Sequence, residues 1–188
     1  MKNQPAFDKD EMETTSAQEL VELVELDFAQ AKKRVAQWIS KRDFSEFELK
    51  EKLARYTNSD VISATINWCH DLKLIPLPEV MTEFVIDSLN RQKKGIQQIN
   101  QMLESKGLAE VSVDDVTELS KANILVNKKM SESLRSTPWK ELSQGGQQKT
   151  KAKVFRFLAT RGFTSEIINS SFEKWLVNNK ETDVYENE

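Results

Sequence analysis

The chain has 188 residues, of which 38% are apolar and 30% charged, with five Gly, four Pro and a formal net charge of −3. That length holds one or two ordinary domains or one array of small modules, and the scarcity of Gly and Pro with helical apolar spacing favours an all-α protein. No run of eighteen apolar residues exists to cross a membrane, and the single Cys69 excludes an internal disulfide, which fits a cytoplasmic protein.

In chain order, residues 1–30 form an acidic segment of net charge −6 whose first sixteen residues lack any apolar period and are expected to be disordered. They lead into acidic sequence rather than an apolar stretch, so no secretory signal is expected. Leu20, Val21, Leu23, Val24, Leu26 and Phe28 are apolar among acids and suit a helix that docks on the body. A first unit, 31–76, opens with Val35, Trp38 and Ile39. Ser45 and Glu48 have the spacing of a capping box, which predicts a helix from Ser45 that buries Leu49 and Leu53. Asn58-Ser59-Asp60 offers the next cap, before Ile62, Ile66, Cys69 and Leu72 on one face.

Pro76 and Pro78 break the chain, and a second unit is expected over 77–115. Its first stripe is Val80, Met81, Phe84, Val85 and Leu89. Gly95 opens a helix carrying Ile99 and Leu103, which Gly107 closes. Val116, Leu119, Ala122 and Leu125 either complete this unit or start the third, set at 116–176. There Thr137-Pro138 reads as a cap with a first-turn Pro, Gly145-Gly146 as a turn or linker, and Lys149–Leu158 as a helix ending at Gly162. Thr164 then caps a last helix bearing Ile168, Phe172, Trp175 and Leu176. Residues 177–188 form an acidic, frayed tail.

One pattern recurs. Leu49-x-x-Lys52-Leu53 is followed by Ile99-x-x-Met102-Leu103-x-x-Lys106-Gly107 and Val154-x-x-Phe157-Leu158-x-x-Arg161-Gly162, with 50 positions from Leu53 to Leu103 and 55 from Leu103 to Leu158. A second apolar cluster follows each: Val61-Ile62, Val111 with Val113, and Ile167-Ile168. A recurrence at this period predicts a stacked helical unit, and stacked units present long surfaces suited to extended partners.

Catalytic chemistry finds no support. Cys69-His70 supplies one thiol and one imidazole where zinc takes about four ligands, and Cys69 fits a core stripe. Asp114-Asp115 reads as a helix start rather than a metal pair, and Gly145-Gly146 lacks the Lys-Ser/Thr of a phosphate loop. No catalytic residue, metal or cofactor is expected. Trp38 and Trp175 read as core, leaving Trp68 and Trp139 for exposure or packing between units. The body, 31–174, carries a net +6 between acidic flanks, which fits a polyanionic partner. Its cations gather around the three motif helices: Arg42, Lys50, Lys52 and Arg55; Arg91, Lys93, Lys94 and Lys106; and Lys149, Lys151, Lys153, Arg156 and Arg161. Lys52, Lys106 and Arg161 recur beside the apolar motif.

These residues resemble the RecX family, bacterial modulators of the RecA recombinase, over most of 31–176. Arg42-Asp43-Phe44-Ser45-Glu46-Phe47-Glu48-Leu49-Lys50-Glu51-Lys52-Leu53 looks like the family's Arg-x-x-Ser-x-x-Glu-Leu-x-x-Lys-Leu. Leu74-Ile75, Phe84-Val85, Gly95-Ile96-Gln97-Gln98-Ile99 before Lys106-Gly107, and Arg161-Gly162-Phe163 with Ile167-Ile168 follow in order. The chain departs where Pro76-Leu77 and Val80-Met81 replace the family's acidic pair and Phe/Tyr-Ala, and where its Arg-rich run is reduced to Arg91, Lys93 and Lys94. The resemblance implies an elongated, curved array of three tandem three-helix repeats. It also implies a monomeric regulator, active in DNA recombination, repair and the SOS response. Such a regulator binds the RecA–single-stranded DNA filament and inhibits strand exchange, ATP hydrolysis and filament extension, with no membrane partner. The residues alone leave two other readings open: a stand-alone nucleic-acid-binding protein, and an adaptor for a different protein. Candidate contacts are Arg42, Lys50, Lys52, Arg55, Arg91, Lys93, Lys94, Lys106, Lys151, Lys153 and Arg161.

Overall fold

The computed structural model describes residues 25–181. The expectations for residues 1–24 and for the end of the acidic tail, 182–188, lie outside the described residues. Within them the chain forms eight α-helices and no strand: α1 (Phe28–Ile39), α2 (Glu46–Leu53), α3 (Ser59–Asp71), α4 (Pro78–Arg91), α5 (Ile96–Ser105), α6 (Asp115–Ser133), α7 (Gln144–Ala159) and α8 (Ser165–Glu181). The protein is all-α, as its spacing implies.

Local chemistry sets most of the boundaries. Asp27 and Gln30 form a capping box that starts α1, and Ser45 and Glu48 form the expected one at α2. The Asn58 side chain accepts from the amides of Asp60 and Val61, and Asp114 accepts from that of Thr117. These hydrogen bonds, the backbone one first, hold the Asp114 carboxyl below its ordinary range, so the acidic pair is a helix start.

The helices gather around three cores. The first unites Val35, Phe44, Leu49, Leu53, Ile66 and Cys69 across α1–α3; burial pushes the Cys69 thiol up to about 11, so it behaves as a small apolar side chain. The second holds only Val85, Leu89, Ile99 and Leu103 as buried side chains from α4 and α5, too few to stand without its neighbours. The third joins Ala122, Leu125, Val126 and Met130 of α6 to Val154 and Leu158 of α7, with Phe163 after it and Ile168, Phe172 and Trp175 on α8. Helix α6 therefore belongs to the third core. In the second unit the segment after α5, residues 108–114, is not helical, where a third helix is expected. The Asn100 side chain holds it, donating to the Val111 carbonyl and accepting from the Val111 amide, both at 3.0 Å.

Four expectations need correction. Gly145 and Gly146 lie in the first turn of α7, whose cap Ser143 accepts from the Gly146 amide; the first-turn amides need no helical acceptor, so glycine is tolerated there. Thr137-Pro138 precedes only a 3-10 turn, Trp139–Glu141. Trp68 and Trp139 are half-buried within the first and third cores rather than between units; Trp139 meets Phe172 and Trp175 edge-on at 5.8 and 5.9 Å. Helix α8 continues through Val177 to Glu181, where the frayed tail was expected to begin.

Candidate partner-binding surface

The units are joined at the places where the glycine motifs recur. Gly107 follows α5 with φ +66°, and a Cβ there would lie 2.5 Å from the Cβ of Phe47 on α2. Left-handed backbone and close approach both require glycine. Beside it the Lys106 ammonium lies 3.0 Å from Glu48, whose other oxygen takes the Arg42 guanidinium at 3.0 Å. Burial works against the Glu48 charge, but Arg42, the Ser45 amide and Lys106 prevail and hold its carboxyl below the ordinary value.

The next joint uses main chain. Gly95 offers α5 no side-chain cap, so the free amides at its start are satisfied from the third unit. The Gly95 amide donates to the Arg161 carbonyl at 2.8 Å, that of Gln97 to the Gly162 carbonyl at 3.1 Å, and that of Ile96 to the Glu118 carboxylate at 3.0 Å. Gly162, at φ +86°, leaves room for none but a hydrogen: a Cβ would sit 2.4 Å from the Gln98 amide nitrogen. Glu118 is paired with Lys121, whose ammonium also donates to Asn90 at 3.1 Å and to the Lys94 carbonyl at 3.0 Å. This buried node was not read from the sequence. An opposite-charge pair three residues apart looks like an ordinary solvated helix face, and only the contact of α6 with two units buries it.

The candidate cations divide by what surrounds them. Lys106 and Arg161 sit at equivalent joints, and Arg161 donates to the Gln92 carbonyl at 3.0 Å. Lys52 does not share that place. It lies one residue before Leu53, over the Trp38 ring at 4.6 Å, and Tyr56 holds the equivalent position, its carbonyl accepting the Leu26 amide at 2.8 Å. Arg42 lies 3.6 Å from the centre of Phe44, Lys50 pairs with Glu46 at 2.5 Å, Arg91 pairs with Asp87, and Lys94 donates to Gln98 at 2.8 Å. Lys151 stands over Phe155 and Phe172 at 5.1 and 5.4 Å. The side chains of Arg55, Lys93 and Lys153 make no ion pair or hydrogen bond among the described residues.

Two surfaces follow. Lys149, Lys153 and Arg156 lie at i, i+4 and i+7 of α7, all exposed and unpaired among the described residues, on a helix with no acid. They form one uncompensated cationic stripe. Arg42, Lys94 and Lys106 instead converge on a groove between the first and second units. The described residues hold no cluster of three metal-ligating side chains, and no helix among them is long and apolar enough to cross a membrane. The arrangement offers charge and contact area, the equipment of a helical-repeat binding protein.

No protein-family model matches the chain. It is similar to the regulatory protein RecX of Clostridioides difficile strain 630, 26% identical over 158 residues that cover 84% of this chain and 73% of that protein. Among solved structures, RecX from Lactobacillus salivarius superposes with a TM-score of 0.59 at 22% identity, covering 79% of this chain and 96% of that one. A second crystal structure of a regulatory protein RecX gives a TM-score of 0.58 at 21% identity, with 78% and 73% covered. The chain is thus similar in sequence to a RecX regulatory protein and shares the fold of RecX structures.

Proposed function

We propose that this protein binds the RecA–single-stranded DNA filament in the cytoplasm as a monomer and inhibits it, slowing strand exchange, ATP hydrolysis and filament extension without chemistry of its own. Similarity to the regulatory protein RecX supports this class of partner. The observation that carries the reading is the α7 stripe: Lys149, Lys153 and Arg156 have no carboxylate partner among the described residues, which suits a polyanion. At 1.5 Å per residue the stripe runs roughly 10 Å along α7, enough to contact successive phosphates of a strand. The stacked units give an extended surface of the kind that follows a filament rather than enclosing a small molecule.

The deciding experiment measures RecA ATP hydrolysis on single-stranded DNA with increasing amounts of this protein. Inhibition at stoichiometries near the number of filament sites is expected. Unchanged hydrolysis at several-fold excess over those sites would reject the reading.

A further inference from the structure

The groove between the first and second units is unlike the α7 stripe. Its floor is apolar: Met81 is buried, while Phe84 is 56% and Met102 40% exposed. The cavity is about 500 Å³. Along α4 the exposed apolar surface continues through Leu77 and Val80, which with Phe84 fall on one helical face, so the groove ends an apolar stripe rather than interrupting a polar one. The rim carries Arg42, Lys94 and Lys106, but these cations are largely spent. Arg42 and Lys106 share Glu48, Lys94 is hydrogen-bonded to Gln98, and Asp43 adds a second carboxylate at the same wall. Three cations against two carboxylates leave one net positive charge above an apolar floor.

We propose that this groove is the docking site for a large apolar side chain carried on an acidic segment of a protein partner. A phosphodiester would have to draw Arg42 and Lys106 away from Glu48 and would leave Phe84, Met81 and Met102 without an apolar occupant. A leucine- or phenylalanine-sized side chain covers them, and thioethers flanking an aromatic ring adapt to its shape. An acidic neighbour then meets the remaining positive charge of the rim. The inference deepens the proposed function by dividing its contacts: the groove takes protein, the α7 stripe takes nucleic acid.

The experiment places ¹³C-methyl labels on the methionines of the full chain and follows them by NMR. Met130, fully buried in the third core, is the internal reference. The probes are a ten-residue peptide of alternating Glu-Glu and Leu-Leu pairs, an all-Glu peptide and oligothymidylate. The Glu/Leu peptide is expected to shift Met81 and Met102 saturably while Met130 stays still, and the other two probes to leave all three in place. F84D and M102Q are expected to weaken that binding at least tenfold, and V177D, at an exposed apolar position on α8, to leave it unchanged. Oligothymidylate shifting Met81 and Met102, equal binding of the all-Glu peptide, or no shift with any probe would each overturn the proposal. Binding of the same variants to RecA filaments separates the two readings. Filament binding indifferent to F84D removes the groove and leaves RecA as partner. Peptide binding at the groove with no filament binding keeps the groove and removes RecA.

Discussion

Single residues at the joints decide whether the units stack. Glu48 gathers Arg42, the Ser45 amide and Lys106 on one carboxylate. Its folded-state carboxyl is held below the ordinary 4.5, so its contribution to stability is complete above that value and is lost as pH falls through the lower folded value. Acid titration of the unfolding midpoint should therefore show a drop below about pH 4.5 that E48Q diminishes, the variant being less stable at neutral pH by ~1–3 kcal/mol because half-buried Lys106 loses its partner. Two glycines give effects of opposite sign. G162A forces a Cβ into the Gln98 amide at a left-handed position, and the backbone alone costs roughly 1–2 kcal/mol. G145A meets nothing within 4 Å in the first turn of α7 and should gain ~0.5–1 kcal/mol. Denaturant midpoints of the two variants check both signs.

At the scale of elements, α7 and α5 have divided the work that their shared motif suggests they duplicate. Helix α5 is held at both ends by its neighbours, through Lys106 and Gly107 on one side and the Arg161 and Gly162 carbonyls on the other. Helix α7 gives its C-terminal end to a joint and keeps its middle free, with Lys149, Lys153 and Arg156 in solvent. The triple variant K149E/K153E/R156E should keep its helical circular dichroism and weaken single-stranded DNA binding. The log–log salt slope should become shallower by about 2, at roughly 0.7 per lost phosphate contact. An unchanged slope would assign the phosphate contacts elsewhere. Reversal of Lys106 or Arg161 is expected instead to lower stability, since these side chains hold units together.

For the whole molecule, charge is divided along the chain: net −6 over residues 1–30 against +6 over 31–174. Opposite charges on one chain attract most strongly at low salt, where screening is weakest, so the acidic segment is expected to compete with nucleic acid for the basic body. Deleting residues 1–18 should tighten single-stranded DNA binding at low salt, with the gain shrinking at moderate salt. Equal affinity of the two forms in both conditions would deny the segment this role. The thin second core adds a second molecular-scale consequence. Four buried side chains between two larger clusters leave the middle unit dependent on both joints, so damage at either should loosen α4 and α5 first.

What the sequence determined by itself was local. Capping boxes, apolar periods and positive-φ glycines act within a few residues, and the helices around Leu49, Leu103 and Leu158 were legible for that reason. So was the resemblance to RecX, because the motif order survives. Tertiary structure decided which cations are free. Lys106 meets Glu48 across 58 positions and Arg161 meets Gln92 across 69, and no local pattern distinguishes them from Lys153, which meets nothing among the described residues. The burial of Glu118 with Lys121, the non-helical segment in place of a third helix in the middle unit, and the convergence of Phe84 and Met102 on one groove arise likewise from the stacking of units. That stacking depends on contacts between residues far apart in the chain, which helical periodicity does not encode.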